Sequence, residues 1–143
     1  MLSIEISDEQ PSAELHERLR AAVEAVLVGA GVTDCELSLA IVDDPTIHAL
    51  NREFLDHDEP TDVLSFLFDR DRARLEGEIV VSRDTAAKMA PNYGWQPDDE
   101  LLLYVIHGAL HLIGFDDTSP EAATTMREEE RRYLRQFGLE PKS

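Results

Sequence analysis

Leu101-Leu-Leu-Tyr-Val-Ile-His-Gly-Ala-Leu-His-Leu-Ile-Gly-Phe-Asp-Asp117 is the most apolar stretch of the sequence, and its interruptions decide what it can be. A membrane helix needs about 20 mostly apolar residues. Here His107, Gly108 and His111 break the run, and Gly114, Asp116 and Asp117 end it. The stretch is too short and too polar to span a bilayer and reads as the buried central helix of a globular fold. Pro97-Asp-Asp-Glu100 places acids in its first turn, where they complement the helix dipole, and Gly114 supplies its stop.

Outward from that helix, Ser119-Pro120-Glu121 opens a last helix reaching about Gln136, with Met126, Tyr133 and Phe137 as inward positions. Its Glu128-Glu-Glu-Arg-Arg132 run reads as a solvated face with acids and bases at helical spacing. Upstream, Leu15, Leu19, Ala22, Val23, Val26 and Leu27 fall on one helical face after Ser12, and Gly29 to Gly31 end that segment. Ile4 and Ile6, then Leu37, Leu39 and Ile41, alternate with polar residues as half-buried strands do. Asp43-Asp44-Pro45 caps a second helix running to about Leu55, and Asp56 to Pro60 is a polar loop. Val63 to Phe68 and Ile79 to Val81 read as strands, and Ser82 to Met89 as a short helix stopped by Pro91 and Gly94. Asp69 to Leu75 carries alternating charges without periodicity.

Three or four strands interleaved with helices indicate one layered α/β domain over residues 1–143, with strand order not legible. The 43% apolar content suits such a core, since a chain of roughly 150 residues hides about 70% of its unfolded surface. Thirty acids against 13 bases give a net charge of −17. So acidic a surface repels polyanions at long range, which excludes general DNA coating and confines any nucleic-acid role to a local site. The lone Cys35 cannot form an internal disulfide, and Met1-Leu-Ser-Ile-Glu5 lacks the basic and apolar regions of a signal peptide. A cytoplasmic protein without membrane contact is expected.

The chemistry is concentrated at the end of the central helix. His107 and His111 lie four residues apart, so both imidazoles leave the same helix face within reach of one ion, zinc or nickel by donor type. Gly114 can take the left-handed turn that brings Asp116 and Asp117 back towards them. Three ligands, His107, His111 and Asp117, would leave zinc an open fourth position, the arrangement of a catalytic rather than a structural centre. Asp116 then reads as a partner that orients a ligand imidazole, in preference to a spare ligand. The competing reading is a pair of core histidines bonded to nearby carbonyls or acids. A zinc protease shares the His spacing but carries a glutamate directly after the first histidine, where this chain has Gly108.

A second stretch, Leu50-Asn51, Phe54 and Asp58-Glu-Pro-Thr-Asp-Val-Leu-Ser-Phe66, is on its own a helix end, a proline turn and a buried strand. Together with Gly77-Glu78-Ile79 and His107-Gly-Ala-Leu-His-Leu-Ile-Gly-Phe-Asp116, it resembles the YbeY family of bacterial metal-dependent endoribonucleases and rRNA maturation factors. The resemblance covers most of the chain. It implies an α+β fold in which a small mixed sheet of about four strands packs with about five helices, and a metal on the histidine helix. It also implies single-stranded or ribosomal RNA as substrate, the small ribosomal subunit and its proteins as partners, maturation of the 16S rRNA 3′ end, and ribosome quality control.

Carried over by position, His107 and His111 match the family's first two ligands, and Asp117 stands where a third histidine is usual. A carboxylate still ligates zinc, at one unit less net charge than imidazole. Leu55 stands where the family usually has an arginine, after the aromatic Phe54. An arginine there could bind a phosphate and stabilise its developing charge, and leucine can do neither. Arg52, Arg74 and Arg83 are other cations that could serve, with no geometry in the sequence to choose among them. Three readings follow: a zinc-dependent endoribonuclease, a ribosome-associated binding factor with a structural metal, or, on the metal motif alone, a metal-dependent hydrolase of small phosphate esters. Trp95 and Tyr93 could stack on a base, though packing suits them better. His16, His48 and His57 read as surface or boundary positions.

Overall fold

The computed structural model describes residues 1–141. Four strands, β1 (Leu2–Asp8), β2 (Asp34–Val42), β3 (Val63–Asp71) and β4 (Arg74–Ser82), form one mixed sheet. Its order is β1-β2-β4-β3, with β1, β2 and β4 parallel and β3 antiparallel at the edge. Five helices pack on it: α1 (Ala13–Gly29), α2 (Asp44–Leu55), α3 (Arg83–Met89), α4 (Pro97–Leu112) and α5 (Pro120–Gln136). A short 3₁₀ turn, Ala90–Tyr93, links α3 to α4. This is the expected α+β fold. No helix among the described residues is long and apolar enough to cross a membrane.

Helix α1 begins where Ser12 Oγ accepts the Leu15 amide at 3.3 Å, and its buried residues are the six that the spacing selects, Leu15 through Leu27. Helix α4 is buried on nearly every side because α1, α3, α5, β3 and β4 all pack against it. That enclosure explains a sequence apolar around the whole helix rather than along one stripe. Glu100, expected only as a first-turn acid, is also buried; desolvation pushes its carboxyl above the usual range, against the Tyr104 hydroxyl beside it. On the sheet's other face, α2 sets Ile47 against Leu64 and Val80 to make a smaller core.

The charged segment Asp69 to Leu75, without periodicity in the sequence, is the tip of the β3–β4 hairpin. Its alternation is hidden because the strand ends project beyond the helices, and Asp69, Arg70 and Asp71 are exposed on both faces. Arg72 makes the turn in the left-handed region at φ 50°. Between Leu67 and Asp69 the register slips by one residue, so Phe68 bulges out of the edge strand.

Two glycines let α4 sit down on the sheet. A Cβ on Gly108 would lie 2.8 Å from Ile79 Cγ2 and 3.0 Å from Ser65 Oγ, and one on Gly77 would lie 3.3 Å from Leu112 Cδ2 of α4, besides 2.8 Å from the Phe66 carbonyl oxygen of β3. Ser65 Oγ donates to the Gly108 carbonyl at 3.1 Å, which ties β3 to the helix at the turn carrying the histidines. The protease glutamate therefore has no room at position 108.

Candidate metal and RNA site

The site stands where α4 ends. The Gly114 amide donates to the His111 carbonyl at 3.1 Å and the Phe115 amide to the Leu110 carbonyl at 3.0 Å, with Gly114 at φ 109°. This left-handed turn folds the chain back as the sequence leads one to expect. One donor atom each from His107, His111 and Asp117 then lie within 4.8 Å of one another.

The two imidazoles meet through their Nε2 atoms at 3.0 Å, with the rings edge to face. On the far side of the first ring, His107 Nδ1 is 2.6 Å from Glu130 Oε2 on α5. The carboxylate accepts the Nδ1 proton, so that in the neutral ring the Nε2 lone pair is directed at His111. Glu130 belongs to the run expected to be a solvated face, yet its side chain is only 15% exposed, turned in against His107. Asp116 does not take the expected part. Its Oδ1 instead accepts the Thr118 amide at 3.2 Å and the Thr118 hydroxyl at 3.0 Å, which holds its carboxyl below the usual range. An aspartate two residues before a threonine forms such a local turn more cheaply than it reaches back across the helix end.

Burial works against the charged form of His107, but the bond to Glu130 and the charges of Glu130, Asp62 and Asp117 outweigh it and raise its pKa. His111, with no carboxylate bonded to it, is lowered by burial and by its neighbour His107. Two imidazoles with convergent Nε2 atoms and a carboxylate at the rim are a donor set suited to zinc, whose bonds to such groups are about 2.0–2.2 Å.

Two recesses flank the histidines. One, of about 470 Å³, runs between β3 and α4 and is lined by Leu55, Asp62, Ser65, Leu67, His107, His111 and Asp117 among others. The second, of about 360 Å³, lies between α4 and α5, bordered by Asp62, Tyr104, His107, Asp117, Arg127 and Glu130. Asp62, from the proline turn, belongs to both, and its Oδ1 accepts the Val63 amide at 2.8 Å. Asn51 fixes that turn: buried at the end of α2, it donates from Nδ2 to the Glu59 carbonyl at 2.9 Å. This gives the Leu50-Asn51 stretch a structural task. Leu55 is 44% exposed on the wall of the first recess.

The remaining candidates lie elsewhere. Arg74 pairs with Asp34 at 2.6 Å and with Glu76, and Arg83 pairs with Asp8 at 2.6 Å. Arg52 stands 3.9 Å from Asp58 and lines neither recess. His16 bonds to Asp8 and His48 to Asp58, while His57 is exposed away from both recesses. Tyr93 and Trp95 stack on each other at 4.8 Å, and Trp95 packs against the core. Sequence reasoning missed Asp62, Glu130 and Arg127. The only available signal for Glu130 was its place one helical turn after the inward Met126 on α5.

The family model described as Endoribonuclease YbeY matches residues 3–138. The endoribonuclease YbeY of Rhodopirellula baltica is 44% identical over 122 residues, covering 82% of this chain and 63% of that protein. The endoribonuclease YbeY of Salinibacter ruber is 38% identical over 140 residues, covering 92% of this chain and 89% of its own length. Among solved structures, the solution structure of TM1509 from Thermotoga maritima superposes with a TM-score of 0.66 at 30% identity, covering 95% of this chain and 88% of that one.

Proposed function

Because the chain belongs to the endoribonuclease YbeY family, we propose that it is a zinc-dependent, single-strand-specific endoribonuclease acting in the cytoplasm on ribosomal RNA. The observation that carries this reading is the convergence of His107, His111 and Asp117 donor atoms within 4.8 Å at the meeting point of two open recesses. Two adjoining recesses that share Asp62, His107 and Asp117 suit a strand lying across them, rather than a small ester enclosed in a single pocket. Maturation of the 16S rRNA 3′ end and ribosome quality control, in association with the small subunit, are the processes such an activity would serve.

His107, His111 and Asp117 would hold the metal, and when bound it would supply Lewis-acid activation of the phosphodiester and of water. The chain's own residues set the conditions for that chemistry. Glu130 keeps the His107 proton on Nδ1 and fixes the ring's direction. Asp62 stands on the wall common to both recesses, placed to take a proton from an attacking water.

The test is metal content per chain after purification without added metal or chelator, followed by cleavage of single-stranded RNA. About one zinc in the wild type, largely lost in a folded Asp117→Ala variant together with cleavage, supports the reading. Asp62→Asn should keep the metal and lose cleavage. No metal even after zinc is offered would make the two histidines core residues and end the proposal. A bound metal with no cleavage would favour the ribosome-associated binding factor, a reading to which Leu55 in the recess lends support.

A further inference from the structure

An RNA nuclease must hold a phosphate against its own negative field, and the residue at position 55 cannot do so. The recesses at the histidines are otherwise acidic: Asp62, Asp117 and Glu130 all border the second one. The arginines open to choice in the sequence are committed elsewhere or, like Arg52, lie off the recess. Among the described residues, Arg127 is the one cation that lines either recess.

Arg127 is exposed on α5, one turn before Glu130, and its guanidinium makes no ion pair with a described residue. Its hydrogen bond is to Thr124 Oγ1, at a long 3.3 Å. A guanidinium so weakly held keeps most of its five donors for a ligand and loses little in turning towards one. Of the other arginines of α5, Arg132 is bonded to Glu129 and Arg135 to Glu140, and Arg131 lines neither recess. With a dication at the histidines, the three carboxylates and one guanidinium leave the second recess neutral. Without Arg127 it would carry a net negative charge and repel the strand.

We propose that Arg127 is this chain's phosphate-holding residue, gripping the RNA backbone from the α5 flank of His107, opposite the flank where Leu55 stands. This rests on the nuclease reading for its substrate. The geometry is that of a strand lying across the end of α4, with one phosphate at the histidines and the backbone steered by the guanidinium in the recess beyond.

The experiment measures zinc content, cleavage, and the salt dependence of binding to a short single-stranded RNA, for wild type, Arg127→Ala, Arg127→Lys and Arg127→Ala/Leu55→Arg. Arg127 is exposed and makes one weak contact, so the alanine variant should fold and keep its zinc. If Arg127 holds a phosphate, the slope of log affinity against log salt should become shallower by about 0.7 in the alanine variant, and cleavage should fall by roughly 10²-fold. Lysine, a point charge, should restore the slope. The double variant should recover part of both losses, because it returns a cation to the other flank. A purely structural role would not move the slope. An unchanged slope and rate in folded, zinc-loaded Arg127→Ala overturns the proposal even if the wild type cleaves RNA. A shallower slope in a protein that never cleaves keeps Arg127 as the phosphate holder and removes the nuclease reading instead.

Discussion

Glu130 Oε2 lies 2.6 Å from His107 Nδ1, so a helix with no part in the histidine motif decides which ring nitrogen of the first histidine faces its neighbour. The contact reaches across 23 residues and makes α5 part of the site rather than a cover for the core. It also raises the pKa of His107 against the effect of burial, while burial and the neighbouring His107 lower that of His111.

Breaking that contact should loosen metal binding without unfolding the protein. Glu130→Gln retains the size and one acceptor but removes the charge, and a partner of this kind is worth about 10–100-fold in metal affinity. Zinc titration against a competing chelator should show a loss in that range, with thermal unfolding of the metal-free protein little changed. An affinity equal to wild type would mean that the ring is fixed by packing alone.

Gly108 should prove intolerant of any side chain. An added Cβ meets Ile79, Ser65 and Val63 at 2.8, 3.0 and 3.2 Å; Ile79 is fully buried, and the half-buried Ser65 and Val63 are short side chains on the strand packed against α4. Gly108→Ala is expected to cost about 1–3 kcal/mol by overpacking, seen as a lower urea midpoint at unchanged slope. Gly108→Glu, which completes the protease-like motif, should fail to fold rather than gain peptidase activity.

Acid sensitivity should centre in part on Asp8. Its side chain is 1% exposed, and burial alone would raise its pKa, but His16, the Gln10 amide and Arg83 together hold it below the ordinary 3.8. A depressed folded pKa contributes stability that is fully present above the unfolded value and is lost as pH falls through the folded one. Asp8→Asn should therefore cost about 2 kcal/mol at neutral pH, and the gap to wild type should close below pH 3.8. A gap that stays constant down to pH 2 in chemical denaturation would show that the charge is not what stabilises the fold there.

Much of the fold is legible because burial writes itself into spacing. The six inward residues of α1 and the all-round apolar α4 follow directly from helical period and enclosure. The histidine pair, the glycine turn and Asp117 are legible for a similar reason, since their relation is local and set by one helix and one turn. Strand order is not local. Nothing in β2 or β4 names its neighbour, and β3 takes the edge through the hairpin whose charged tip hides its own alternation. Glu130 is hidden for the same cause: it sits in a run of three glutamates, and only the packing of α5 on α4 separates it from the other two. Asp116, which the sequence offers as a partner for a ligand imidazole, is bound instead by the nearby Thr118, a local bond that spacing along the helix does not announce.

The bulge at Phe68 bears on whether the edge of the sheet can pair with another chain. Strand β3 is an outer strand with Leu67 and Phe68 exposed, beside the recess at the histidines. A straight apolar edge of that length is a template for another chain's strand and so a route to aggregation. The extra residue breaks the ladder between Leu67 and Asp69, and the charges of Asp69, Arg70 and Asp71 follow at once. An incoming strand therefore finds its pairing interrupted midway, and the border of the recess can lie bare without becoming adhesive.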